Sequence, residues 1–375
     1  MDEVARRSRR AASVTAAALL GAVVLLAPFS TQARTIEYRT PTMGASASIH
    51  LSAADSIAAL PLAEIGFAQF RLVDSLLSNW TETSEIAHVN RSANERPVQV
   101  GADFAVVLEE ALRIHRASDG AFDVTVEPLV RLWGFLAGKP AIPSDDAIKN
   151  ALSRVGSERI VWDRKARTIR FEPPTPEQPV RIDFGGIAKG YAVDAAAAML
   201  AHQRASRPPD DFGERPGFLV DITGNMKAVG VPTGRTAWWI GIRDPRDRMP
   251  YCARLELRSL DAVSTSGQYE QFIAHDGRQL GHILDPRTGW PVEGLISVTV
   301  VTPSAMTADA WSTALFVLGP EKARRAAALE DEIAAVLISP GRPGATPDTI
   351  WVEAPLADRV ALTVEAASLF VIRTY

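Results

Sequence analysis

The 375-residue sequence predicts an α+β protein in which mixed and antiparallel sheets carry packed helices. Three patterns predict this. Residues 218–222, 237–242, 254–257 and 262–264 read as short strands that follow one another without strict alternation with helices. Residues 58–77 and 104–117 carry apolar side chains at helical spacing, and 180–203 reads as a strand, a Gly-Gly loop and an Ala-rich helix.

In chain order, Ile36 to Leu51 alternates polar and apolar residues around Met43-Gly44 and predicts strand, turn and strand. The helix from Ala58 to Leu77 shows its apolar stripe at Leu62, Ile65, Phe67, Phe70 and Leu76, and delivers the chain to Ser78-Asn79-Trp80. A second helix, Phe104 to Ala117, stops at Ser118-Asp119-Gly120, where glycine supplies the break. Val180 to Phe184 predicts a short strand, Gly185-Gly186 ends it, and Ile187 to Gln203 continues as helix. Gln279 to Leu284 and Leu295 to Val301 predict two strands joined by Asp285-Pro286-Arg287-Thr288-Gly289. Ala308 to Leu318 is a helix followed by another from Glu321 to Leu329. The proline-rich stretches 173–179, 206–217 and 340–347 read as surface loops.

Composition narrows the class. A hydrophobic fraction of 47% with mean hydropathy +0.02 is that of a globular protein. The net charge of −4, with no basic patch downstream of the N-terminus, gives nucleic acid no electrostatic footprint. Cys252 is the only cysteine, which excludes an intrachain disulfide, a Cys-ligated zinc site and an iron–sulfur cluster held by this chain alone. Arg6, Arg7, Arg9 and Arg10 precede an apolar run from Ala11 to Ala27, and small residues follow at Thr31-Gln32-Ala33. This is the layout of a secretory signal over 1–33, with an uncleaved membrane anchor as the other reading. The expectation is an exported, periplasmic protein whose residues 34–375 form a single unit. The paired arginines do not clearly fit the twin-arginine signal. Loss of 1–33 removes four arginines and two acids and takes the net charge to −6.

Several stretches are equipped for chemistry, and each also has a plain structural reading. The loop Asp183-Phe184-Gly185-Gly186 opens a helix whose unpaired N–H groups, with Lys189 in the first turn, suit a phosphate; an ordinary tight turn explains it as well. Asp309 and Thr313, at i and i+4, share a helix face and could act as hard ligands for Mg2+, leaving room for substrate phosphates. On spacing alone the preferred alternative has Thr307 capping the helix, Asp309 favouring its positive end and Thr313 packing. His282, where a strand end meets an Asp-Pro turn, has the intrinsic pKa of a general base, but a lone histidine there is more often structural. Trp80 and Met43 are placed to stack on a flat ring or to join the core. Asp123, within Gly120-Ala121-Phe122-Asp123-Val124-Thr125, is a carboxylate that neither composition nor spacing explains. Ser264-Thr265-Ser266-Gly267-Gln268-Tyr269 is a hydroxyl-rich turn that could touch a polar ligand, with an ordinary loop after a strand as the preferred alternative. No G-x-S-x-G elbow, H-E-x-x-H helix or second cysteine is present.

Taken in order, these segments resemble the ApbE family of FAD:protein FMN transferases. Met43-Gly44 is similar to the family's opening M-G, and Ser78 to Trp80 with Ser84-Glu85 to Asn90 to its next stretch. The resemblance continues through Gly120 to Thr125 and Leu132-Trp133-Gly134-Phe135, Asp183 to Tyr191, Thr265-Ser266-Gly267, His282 to Gly289, and Ala308-Asp309-Ala310 with Thr313. It spans about Ile36 to Leu329 and implies an ApbE-like fold. It also implies transfer of FMN from FAD, with Mg2+, to a threonine hydroxyl of an exported or membrane-bound acceptor flavoprotein, releasing AMP. Carried over residue by residue, Met43 and Trp80 would flank the isoalloxazine, and Ala121, Phe122 and Asp123 would line the nucleotide. Asp183 and Lys189 would hold polar parts of FAD, and Ile283 would contact it. The Gly186 carbonyl, Asp309 and Thr313 would hold the metal, and His282 is the candidate base, with Asp285 a weaker one. Asp221-Ile222-Thr223-Gly224-Asn225 departs from the family, with Thr223 and Asn225 where many relatives carry G-G-[DN]; Gly186 stands where alanine or serine is frequent. Two competing readings are an FAD pyrophosphatase that uses water as acceptor and a periplasmic flavin-binding protein without chemistry.

Overall fold

The computed structural model describes residues 34–53, 56–136, 139–206, 217–268, 272–275, 278–342 and 344–375, so the signal 1–33 and most of the 206–217 loop lie outside the described residues. The chain begins with the hairpin β1 (Arg34–Thr42) and β2 (Ala45–Ala53), then α1 (Ser56–Leu77), α2 (Glu85–Ser92), β3 (Val98–Gln99) and α3 (Ala102–Ala117). Next come α4 (Glu127–Leu132), α5 (Asp145–Leu152), β4 (Ile160–Asp163), β5 (Thr168–Phe171) and α6 (Ala188–Ala205). Five strands follow: β6 (Phe218–Ile222), β7 (Asn225–Val229), β8 (Trp238–Arg243), β9 (Tyr251–Leu257) and β10 (Ala262–Gly267). The chain closes with β11 (Phe272–His275), β12 (Arg278–Gly281), β13 (Ser297–Thr302), α7 (Ala305–Ala327), β14 (Ala334–Ser339), β15 (Asp348–Val352), β16 (Val360–Leu362) and β17 (Phe370–Thr374). Among the described residues, no helix is long and apolar enough to cross a membrane.

The strand order β1-β2-β6-β7-β10-β13-β14-β15-β17 makes a nine-stranded sheet, antiparallel except where β15 runs parallel to β17. Its two faces meet different partners, as the period of two requires. Val220, Val298, Val300, Ala335 and Leu337 pack against α1, α3, α6 and α7 through Phe70, Phe104, Ala196 and Trp311. Leu219, Val301, Val336 and Ile338 pack against the smaller sheet β16-β9-β8 through Trp238, Leu255 and Leu257. β13 is therefore buried along its whole length, which explains its unbroken Ser-Val-Thr-Val-Val-Thr run. A satellite cluster of Leu129, Trp133, Ile148 and Leu284 ties α4 and α5 to the segment after β12.

The mixed, mainly antiparallel α+β architecture is the one expected, and three local readings are corrected. Val180 to Phe184 is not a strand. It is extended, but asparagine side chains replace a neighbouring strand. Asn90 accepts from the Ile182 N–H at 2.8 Å and donates to its carbonyl at 2.9 Å, while Asn94 makes the equivalent pair with Val180. Residues 279–284 and 295–301 do not pair: β12 pairs with β11, the chain leaves the ladder after Gly281, and β13 lies between β10 and β14. Thr307 does not cap α7. Ser304 does, its hydroxyl accepting from the Thr307 N–H, while the Thr307 hydroxyl donates to Glu110. The two C-terminal helices are present as expected, separated at Gly319 (φ 74°) and Pro320, because glycine alone takes that backbone easily and proline offers no N–H to continue the ladder; both are kept under the label α7.

Asn90→Ala leaves the buried Ile182 N–H without its acceptor. Urea unfolding is expected to show a loss of about 1–3 kcal/mol; an unchanged midpoint would refute this role for the asparagine.

Candidate active site

One open cleft of ≈ 330 Å³ lies at the end of the large sheet beside α6 and α7, within the size range of small-molecule sites. Its rim includes two tight turns of the same type. In β1–β2, Thr42 pairs with Ala45 across Met43 (φ 49°) and Gly44 (φ 68°), and in β6–β7, Ile222 pairs with Asn225 across Thr223 (φ 47°) and Gly224 (φ 91°). A two-residue hairpin loop needs positive φ at both central positions to match strand twist. Methionine and β-branched threonine are poor residues for it, and strain of this kind concentrates at functional sites. Asp74 of α1 accepts from the Met43 N–H at 3.3 Å and ties the first turn to the helix.

The Gly-Gly loop forms the cleft floor. The chain passes through Asp183, turns at Gly185 and Gly186, and enters α6 at Ala188. The Asp183 carboxylate accepts from the Gly185 N–H at 2.9 Å and from Asn79 at 3.2 Å. Burial is the largest influence on Asp183 and raises its pKa; these bonds and the charges of Lys189 and Arg131 only partly offset it. Lys189 reaches back to the Gly185 carbonyl at 3.4 Å. Gly190 brings α6 onto α7, since an added Cβ would lie 2.2 Å from the Ala305 carbonyl oxygen and 2.8 Å from Asp309 Cβ. At this contact the Gly190 N–H donates to Asp309 Oδ2 at 3.0 Å. A Cβ at Gly186 would lie 3.4 Å from Thr313 Oγ1 and 3.2 Å from the Phe122 ring, so this loop and the α7 hydroxyl are direct neighbours.

Asp123 lines the cleft but spends its carboxylate inward. It accepts from the Thr125 N–H and hydroxyl at 2.8 and 2.6 Å, from the Ser157 N–H and hydroxyl at 3.0 and 2.8 Å, and meets His115 Nδ1 at 3.3 Å. Burial pushes its pKa up, but hydrogen bonds from His115 and Thr125 more than reverse this and hold it below the usual range. The same contact raises the pKa of His115. Asp123 thereby fixes the loop that presents Ala121 and Phe122. His282 follows β12 on a segment positioned by the satellite cluster, with its ring edge-on to Phe135 at 6.3 Å between centroids. Trp133 Nε1 donates to the Gly289 carbonyl at 2.9 Å, and Asp285 binds the Arg287 guanidinium through two bonds of 2.8 Å.

Of the thirteen residues given roles from the sequence, twelve, Met43, Trp80, Ala121, Phe122, Asp123, Asp183, Gly186, Lys189, His282, Ile283, Asp309 and Thr313, border this one cleft, whereas Asp285, the weaker candidate base, is not among its lining residues and is engaged by Arg287. Trp80 is 63% exposed, which leaves its ring face available to a ligand. The sequence reading gave no role to Asp74 or Asn79, which also border it, as does Ser266 of the hydroxyl-rich stretch. Asn79 is a hidden organiser, donating to the Ile182 carbonyl at 3.0 Å as well as to Asp183. Only its position beside Ser78 and Trp80 hinted at this. Among the described residues no three His, Cys, Asp or Glu side chains gather as a metal site. A cation here would take its other ligands from hydroxyl and carbonyl oxygens, substrate phosphates and water.

Residues 43–337 match the ApbE family. This chain belongs to that family. It is 32% identical over 319 residues to an FAD:protein FMN transferase of Klebsiella pneumoniae, covering 82% of this chain and 88% of that one. It is 33% identical over 254 residues to the Escherichia coli K12 protein of the same name, covering 67% and 69%. Among solved structures, the flavin transferase ApbE of Vibrio cholerae superposes with TM-score 0.73 at 28% identity, covering 87% of this chain and 99% of that one. The ApbE protein of Thermotoga maritima gives 0.72 at 30%, covering 82% and 94%. The α+β fold is thus the ApbE fold.

Two outcomes are expected at the Thr223 turn. Thr223→Gly removes a strained residue and should stabilise the protein by roughly 1 kcal/mol in chemical denaturation; destabilisation would show that the turn carries no strain. Burial, with Glu37 nearby, pushes the Asp221 carboxyl up to about 6, from about 3.9 in the unfolded chain. A raised folded-state pKa contributes stability at low pH that is lost as pH rises through about 6. Asp221→Asn should therefore gain melting temperature relative to the parent between pH 4 and 8, and a pH-independent difference would refute the assignment.

Proposed function

We propose that this chain transfers the FMN portion of FAD to a threonine hydroxyl of an acceptor flavoprotein, in a Mg2+-dependent reaction that releases AMP. The observation that carries this reading is the convergence of the Gly185-Gly186 loop, Asp309, Thr313 and His282 on one cleft in a chain of the ApbE family. A carboxylate, a hydroxyl and a backbone carbonyl are hard oxygen donors, the set that Mg2+ prefers. Asp309, Thr313 and the Gly186 carbonyl would hold the ion, and when bound it would neutralise charge on the pyrophosphate during displacement.

The remaining work falls to the chain. Met43 and the exposed Trp80 would flank the flavin ring, Ala121, Phe122 and Ile283 would line the nucleotide, and Lys189 and the first turn of α6 would meet phosphate oxygens. The acceptor oxygen bonds to the phosphorus that carries riboflavin, and the bond from that phosphorus to the bridging oxygen breaks. AMP leaves with the bridging oxygen, and His282 takes the proton of the hydroxyl. Residues 1–33 would act as the export signal that brings the enzyme to a periplasmic acceptor.

The test incubates residues 34–375 with FAD, Mg2+ and an acceptor bearing a flavinylation threonine, and follows acceptor mass and AMP. An FMN mass gain is expected, abolished by EDTA and lowered about 10²–10³-fold by Asp309→Ala. His282→Ala is expected to lower the rate about 10²–10⁴-fold while FAD binding persists, and full activity would remove it as the base. AMP without a mass gain would instead indicate hydrolysis, and neither product a flavin-binding protein.

A further inference from the structure

Behind Asp309 and Thr313 lies a row of hydroxyls contributed by β10 and α7. Ser264 donates to Asn225 Oδ1 at 2.7 Å, Ser312 donates to the Asp309 carbonyl at 2.9 Å, and Ser266 lies 2.8 Å from Ser312 and 3.4 Å from Thr313. Ser264 and Ser312 are also 3.3 Å apart, and both are buried, so solvent does not decide where these hydrogens point. Each hydroxyl has one hydrogen to give. With Ser264 committed to Asn225 and Ser312 to the Asp309 carbonyl, the short Ser266–Ser312 contact is made by the Ser266 hydrogen. Ser266 then has none left for Thr313. The Thr313 hydrogen accordingly goes inward, to the Asp309 carbonyl at 3.3 Å or to Ser266 at 3.4 Å, and its oxygen lone pairs are left for the cleft.

We infer that Ser312 is a positioning residue for the cation site: by drawing the Ser266 hydrogen to itself, it keeps the Thr313 hydroxyl an acceptor toward the cleft. Without Ser312, Ser266 is able to donate to Thr313 Oγ1 and take up one of the two electron pairs open to a cation. The inference rests on the cation reading of Asp309 and Thr313 and adds a residue that touches neither cation nor flavin. Partners that orient metal ligands in this way typically change metal affinity 10–100-fold when removed.

The test titrates Mn2+ in the presence of ADP by electron paramagnetic resonance, with melting temperature and metal-free FAD affinity measured on the same samples. Ser312→Ala should weaken Mn2+ binding by about tenfold or more and leave metal-free FAD affinity within about twofold. Ser312→Cys, close in volume but a poor hydrogen-bond partner, should do the same if the alanine variant folds badly. Ser264→Ala is the control, because it removes a neighbouring buried hydroxyl whose hydrogen points away from Thr313. It should cost melting temperature and leave Mn2+ affinity within about twofold. Unchanged Mn2+ affinity in both Ser312 variants, or an equal loss in Ser264→Ala, overturns the inference. Weakening by Thr313→Ala with no effect of Ser312 would defeat this inference alone, whereas a parent protein that binds no Mn2+ would defeat the cation reading beneath it.

Discussion

The close approach of α6 to α7 at Gly190 is the constraint on which the site depends. No side chain fits between the α6 backbone and the Ala305 carbonyl, and the Gly190 N–H at this contact donates to Asp309. The two helices are also pinned one turn further along. Asp194 of α6 accepts from Ser304, from the N–H groups of Ala305 and Met306 at the start of α7, and from Lys227 of β7. Four donors on one carboxylate satisfy the helix N-terminus and fix the rotation of α7, and hence the direction in which Asp309 and Thr313 project. The Gly-Gly loop, which enters α6, is carried to the same place by the same contact.

A second layer of control comes from polar side chains doing the work of backbone. Asn79, Asn90 and Asn94 hold the extended segment before the Gly-Gly loop, where a strand would otherwise be expected. The asparagines satisfy the same N–H and C=O groups that a strand neighbour would. Asp123 does similar work in the adjoining segment, whose Val124 carbonyl accepts from the Asp183 N–H, and its depressed pKa reflects a carboxylate engaged by the protein on both oxygens. Not every ionisable group at the cleft faces the ligand, and the wall is stiff because several face away.

The rim combines this rigidity with strain. Met43 and Thr223 occupy equivalent positions in two hairpin turns at one end of the sheet, each in a backbone region that glycine takes more cheaply. Such positions persist only where surrounding structure over-determines them, and the β1-β2-β6-β7 ladder supplies that restraint.

Much of this was legible in the residues. The strand–turn–strand at Met43-Gly44, the helices of 58–77 and 104–117 and the Gly-Gly entry to α6 follow from periodicity and glycine placement, because these are local properties of the chain. The resemblance in motif order named the twelve cleft residues, which lie as far apart as Met43 and Thr313. Tertiary structure alone decided what those residues do to one another. Val180 to Phe184 has the composition of a strand, yet its partners are asparagines more than 80 residues away, as the 86- and 92-residue separations of these hydrogen bonds show. Thr307 has the look of a cap, yet Ser304 takes the role because Asp194 holds the chain there. The direction of the hydroxyl row through Ser312 is likewise absent from the sequence, since it depends on which oxygens two separate elements bring within hydrogen-bond reach once the core is packed.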